Sequence, residues 1–184
     1  MKIRAGFVSN SSSSMFVVAF PSVPKGYREV QKMLFGDALE MGNPYDEGVT
    51  STKDIAKTVW NDLRGQRRWT KKYRNQKVFD TIANGWFDGK PEYEDFKIIP
   101  KQITTLEFKG STILKAELKE DYDWKAYEKA HAETAEKVVD ALLEKWKDRV
   151  IYVFHYGDES GAYYSTLEHG GIFNKLPHEQ ISYH

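Results

Sequence analysis

Met15-Phe16-Val17-Val18-Ala19-Phe20 is an unbroken apolar run, rich in β-branched and aromatic residues, closed by Pro21 and Pro24. A run of this length and composition reads as a strand buried on both faces rather than an alternating, half-solvated one. Val150-Ile151-Tyr152-Val153-Phe154 is a second such strand. The two are expected as neighbours in one sheet, which would bring both ends of the chain together. Between them, Trp124, Tyr127, His131, Ala135, Val138, Leu142 and Trp146 recur every three or four residues, so 122–147 reads as a long amphipathic helix. His131 on that helix reads as packing or surface.

Outward from these elements, Tyr27 to Phe35 reads as a short helix with Val30, Met33 and Leu34 on one face, and the glycine-rich stretch 36–50 as a loop. Ser51-Thr52-Lys53-Asp54 suits a helix start, followed by Ile55, Val59, Trp60 and Leu63 at helical spacing. A further helix is expected from about Arg67 to Ala83. Short strands are expected at 96–99, 103–109 and 113–118. Gly157 to Gly161 reads as a turn, and Tyr163 to Leu167 as the strand returning from it. The fold class is α+β: a single mixed domain, a central sheet, one long helix at about 122–147 and a helical insertion at about 51–85.

Composition bounds the function. The 184 residues suit one domain, and a 40% hydrophobic content supplies a core. Lys plus Arg and Asp plus Glu are 27 each, so attraction to a polyanion must come from local segregation of charge. Cysteine is absent, which excludes disulfides, cysteine-zinc sites and thiol catalysis. No apolar run approaches the ~18 residues needed to cross a bilayer, so no membrane partner is expected. Lys2 and Arg4 precede only short apolar stretches split by serines, so a secretory signal is not expected and the cytoplasm is the expected location.

Three groups of residues could carry chemistry. The first is the polar tract Asn10, Ser11, Ser12, Ser13 and Ser14, beside Ser9. Consecutive hydroxyls and backbone N–H groups can surround a phosphate. The tract lacks the glycines and lysine of a P-loop, and the plainer alternative is a flexible polar loop. The second is a basic stretch with no acidic residue between Asp62 and Asp80. It holds Arg64, Arg67, Arg68, Lys71, Lys72, Arg74 and Lys77, with Trp69 and Tyr73 among them. Basic groups neutralise phosphates and rings stack on unpaired bases, which is the composition of a nucleic-acid surface. On a helix, Arg64, Arg67, Arg68, Lys71 and Arg74 would share much of one face; the alternative is a solvated helix paired with acids elsewhere.

The third group is histidine. Four of the five, His155, His169, His178 and His184, lie in the last thirty residues, near Glu168. Imidazole and carboxylate suit proton transfer near neutral pH, or a divalent metal that activates water. The spacings match no standard zinc motif. His169 is singled out because Glu168 precedes it and Gly170-Gly171 would admit a substrate backbone.

Arg4-Ala5-Gly6-Phe7-Val8-Ser9-Asn10-Ser11-Ser12-Ser13-Ser14-Met15-Phe16 closely resembles the opening of a group of small phage and bacterial mobile-element proteins. Their opening reads Arg-x-Gly-Phe-Val-Ser-Asn, a serine run, then Phe; Met15 stands where a further Ser is usual. Leu167-Glu168-His169-Gly170-Gly171-Ile172-Phe173 and Leu176-Pro177-His178-Glu179-Gln180-Ile181-Ser182-Tyr183-His184 resemble the close of members of that group. These segments cover under a fifth of the chain. The group includes anti-CRISPR inhibitors of Cas9, some of which shorten or deplete the guide RNA. The resemblance therefore implies counter-defence in a bacterial host's cytoplasm, with guide RNA, Cas9 or both as partners. One expectation is a small ribonuclease-like protein, with the basic stretch holding RNA, the serines a phosphate, and the tail histidines with Glu168 performing acid–base work. A second is an inhibitor that binds a Cas protein or its RNA without chemistry, and a third is a phage structural or nucleotide-handling protein.

Overall fold

A computed structural model describes residues 13–44, 48–98, 104–108, 111–115, 121–157 and 163–183. The strands are β1 (Ser13–Phe20), β2 (Glu40–Gly42), β3 (Val49–Ser51), β4 (Lys97–Ile98), β5 (Thr104–Phe108), β6 (Ser111–Lys115), β7 (Asp121–Tyr122), β8 (Val150–Gly157) and β9 (His178–Tyr183). The α-helices are α1 (Tyr27–Phe35), α2 (Thr52–Gln66), α3 (Lys71–Asn84), α4 (Trp124–Lys145) and α5 (Tyr164–His169), and a 3₁₀ turn covers Tyr93–Phe96. The chain is an α+β fold.

β1 is the middle strand of an antiparallel sheet ordered β8-β1-β9. Phe16 pairs with Phe154, and Ser14 lies between Tyr156 on β8 and Ser182 on β9. The expected adjacency of the two strongest apolar strands is therefore present. Side chains alternate across a strand. Phe16, Val18 and Phe20 enter a core with α1, α2, α5 and residues 172–176; Val17 and Ala19 enter a second core with α3, α4 and Phe87. Both faces of β1 are thus covered by helices, and that is why its sequence is apolar without alternation.

The helices expected over 51–85 are present as α2 and α3, and they are walls of these cores. Ile55, Ala56, Val59 and Leu63 of α2 are buried on the first face, and Val78 and Ile82 of α3 on the second. α1 begins and ends at the expected residues. α4 buries Ala135, Val139, Leu142 and Trp146, with Val139 taking the inward place expected of Val138, which stays half-buried. The 36–50 stretch, expected as a loop, carries the β2–β3 ribbon, with Met41 opposite Thr50. β4 pairs with β7, and β5 with β6, over the region where short strands were expected.

The strand expected from Tyr163 to Leu167 is absent. Residues 164–169 form helix α5, not a returning strand; Leu167 N donates to Tyr163 O at 2.8 Å and Gly170 N to Thr166 O at 3.0 Å. Six residues are too few for propensity to decide. The four consecutive residues Ser165, Thr166, Leu167 and Glu168 are buried, so every side of one helical turn is covered. The partner of β1 on its other side is β9, a strand the sequence does not advertise, because only Ile181 within it is an aliphatic residue and it is buried.

Candidate nucleic-acid interface

The two helical layers lie on opposite faces of the sheet, so the chain must round one of its edges between α2 and α3. It does so at β8. Gln66, the last residue of α2, is buried, and its amide exchanges two hydrogen bonds with the main chain of Val153. Nε2 donates to the Val153 carbonyl, and Val153 N–H donates to Oε1 at 3.0 Å. The side chain thereby occupies the place of an adjoining strand. Trp69 N donates to Gln66 O at 3.0 Å, and Thr70 caps α3 by accepting from Tyr73 N at 3.2 Å.

This turn corrects the expected single basic helix. Residues 67–70 separate α2 from α3, so Arg64, Arg67, Arg68, Lys71 and Arg74 do not form one helical stripe. They wrap a corner instead. Arg64, Arg67, Arg68, Lys71, Lys72 and Tyr73 are exposed, while Trp69, Arg74 and Lys77 are half-buried. Among the described residues, Arg64, Arg67, Arg68, Lys71 and Lys72 have no carboxylate within ion-pair distance, whereas Lys77 pairs with Asp80 at 3.3 Å. The rings are held in place. Trp69 and Tyr73 meet edge to face at 5.1 Å, Lys77 lies 5.6 Å over Tyr73, Arg67 lies 5.6 Å over Trp60, and Arg74 lies 5.3 Å over Tyr152. Arg74 is therefore turned toward the protein, not toward a shared outer face.

Below the corner lies a hollow of about 410 Å³ lined by Met15, Trp69, Lys77, Asp80, Asn84 and His155 among others. Here the fold joins the basic stretch to one tail histidine and to the strand that leaves the serine tract. His155 pairs with Met15 across β1 and β8 and is exposed on the α3 side. Ser13 lies on that same face of β1, partly buried. Ser14 is 2% exposed on the opposite face, and its hydroxyl accepts from Gln180 Nε2 at 3.2 Å. Asn10, Ser11, Ser12 and His184 lie outside the described residues.

The tail histidines do not form one group. His178 pairs with Val18, so it faces the first core, where its ring is 6.3 Å from Phe173 and Nδ1 is 3.0 Å from Leu176 O. The sheet separates it from His155. His169 ends α5, exposed, with Nε2 3.5 Å from Oε2 of the buried Glu168. The two neighbours sit on a helix, where adjacent residues point about 100° apart. Gly170 and Gly171 end that helix. A Cβ at Gly170 would lie 2.4 Å from Thr166 O, and Gly171 has φ of 62°. His131 lies between the Phe87 and Tyr127 rings, tilted to both, at 5.3 and 5.7 Å, and burial lowers its pKa. Among the described residues no group of three or more His, Asp or Glu side chains is placed to hold a metal ion. Nor is any described helix long and apolar enough to cross a membrane.

Near the end of α2, the buried Tyr156 donates to Asp62 Oδ2 at 3.0 Å. Burial raises the Asp62 pKa, partly offset by this bond, and burial beside the Asp62 charge holds the Tyr156 phenol well above its usual range. Gln66 and the Tyr156–Asp62 pair escaped the sequence reading. The signal for Gln66 was its place three residues after Leu63, on the apolar stripe of α2. No family model, no curated protein and no solved structure matches the chain.

Proposed function

We propose that this protein binds single-stranded RNA through the corner from Arg64 to Lys77. The observation that supports this most is the composition and exposure of that corner. The corner carries five exposed cations with no carboxylate in reach among the described residues, beside Tyr73, which is 46% exposed, and the half-buried Trp69. Cations of this kind release counterions from phosphates, and rings of this kind stack on unpaired bases. The hollow under Trp69 would receive a base, with Asn84, Asp80 and Lys77 as polar partners. The resemblance of the chain's ends to the phage and mobile-element group supports guide RNA as the ligand and counter-defence in a bacterial host as the role. Binding without chemistry accounts for the separation of His155 from His178 by the sheet.

One observation favours a second reading. His155 alone among the described tail histidines shares the hollow with Trp69 and Lys77. A ribonuclease-like activity would use it as the acid–base group, in place of His169.

Titration of labelled guide RNA with wild type and with Arg67→Glu, Lys71→Glu tests the reading. The double variant should bind more weakly at moderate salt, with a shallower dependence of log K on log salt, because fewer counterions are released. Equal affinity and equal slope would leave the corner a solvated surface. Shortening of the RNA on a denaturing gel, lost in His155→Ala, would select the enzymatic reading.

A further inference from the structure

Lys147 and Arg149 follow α4 and lie far in sequence from the basic stretch, yet the fold sets them against Lys71 and Arg74 around a cleft of about 650 Å³. We propose that this cleft is a phosphate site, filled by a phosphodiester of the strand whose bases stack at the Trp69–Tyr73 corner. It rests on the RNA-binding reading and extends the path of the ligand past α3.

Two guanidiniums in the cleft are held before any ligand arrives. Arg74 lies over the Tyr152 ring and Nη2 donates to Gln66 O at 3.4 Å; Arg149 Nη1 donates to Ala19 O at 3.3 Å. A guanidinium has five donors. A side chain already fixed loses less entropy when it binds a planar oxyanion. The charge is unbalanced toward an anion. Glu144 holds Lys147 at 2.7 Å, so Lys71, Arg74 and Arg149 face one further carboxylate, Asp140. Lys71 is also the first residue of α3, where the helix dipole is positive. Trp146 and Ile151, both buried, form an apolar floor that limits screening by water. Lys71 is two residues from Trp69, so the phosphate site adjoins the stacking corner.

The test titrates the full chain with labelled single-stranded RNA over a range of salt, using Asp140→Lys and Arg149→Gln. Asp140 is exposed on α4, so its replacement keeps the fold even if Arg149→Gln, which loses a bond to Ala19, does not. Asp140→Lys should tighten binding several-fold and steepen the salt slope by about 0.7; Arg149→Gln should weaken it and flatten the slope by about the same. Wild-type binding with no change in the variants overturns the phosphate site and leaves the corner reading standing. If wild type binds no RNA, the corner reading falls, and tripolyphosphate then decides the cleft. Shifts of the Arg74 and Arg149 side-chain resonances support it, and their absence overturns it. Displacement of tripolyphosphate by equimolar poly-glutamate would assign the cleft to an acidic peptide and overturn the proposal.

Discussion

Gln66 hydrogen-bonds to Val153 as a neighbouring strand would: its carboxamide gives one bond to the Val153 carbonyl and takes one from the Val153 N–H. The outer edge of β8 is thereby closed at its centre by a side chain, and the same contact anchors the turn that displays the basic corner. Replacement of Gln66 by Met keeps the volume and removes both bonds. An unmade bond at a buried backbone group costs about 1–3 kcal/mol. Gln66→Met should therefore lower stability by about 2 kcal/mol, which at this chain length lowers Tm by roughly 4–8 °C. A melt within 1 °C of wild type would contradict the role given to the amide.

Asp62 gives the protein a dependence on pH in the acid range. Its carboxyl is raised above the usual 3.8 because burial disfavours the charge. A raised acid contributes stability below its unfolded value, and that contribution is lost as pH rises through the folded value. Asp62→Asn still accepts from Tyr156 and carries no charge. The variant should lose this fall in stability above about pH 4, and should be at least as stable as wild type at pH 7. Urea midpoints measured from acid to neutral pH check it; a variant less stable at neutral pH would show that the charged form is the favoured partner of Tyr156.

His131 acts with the opposite sign. Its pKa is lowered, so the folded chain resists protonation that the unfolded chain accepts. The contribution is present above the unfolded value of 6.5 and is lost as pH falls toward the lower folded value. His131→Phe, between Phe87 and Tyr127, should flatten the loss of stability below about pH 6.5. Thermal melts at pH 5 and 7.5 read the difference; an unchanged difference would remove His131 as its source.

Gly85 lets the turn after α3 press against β9. A Cβ there would lie 1.8 Å from Ile181 Cγ2, closer than side chains can approach. Gly85→Ala must displace Ile181 or the turn, and overpacking of this kind costs about 1–3 kcal/mol. Part of the drop should be recovered when Gly85→Ala is made in an Ile181→Ala background, which lacks Cγ2. No recovery would place the strain elsewhere.

Trp69 lines the hollow. Trp69→Ala should weaken single-stranded RNA binding by about 1–3 kcal/mol, or roughly 5–150-fold, without changing the salt slope, since stacking releases no counterions. A change in slope with unchanged affinity at low salt would show that the ring only supports the neighbouring cations.

The sequence by itself determined the α+β class, the central pair of apolar strands and the long helix, because each depends on a local pattern: a run with no polar break, or a repeat of three and four. It also exposed the basic stretch, because charge segregation is visible without coordinates. The tertiary structure alone decided that this stretch turns a corner, because one residue, Gln66, meets a strand 87 positions away. It alone divided the histidines, since pairing with Met15 or with Val18 sends a side chain to one face of the sheet or the other. It turned residues 164–169 into a helix and 178–183 into a strand, because short segments take the conformation that their burial allows, and burial is set by contacts between residues far apart in the chain.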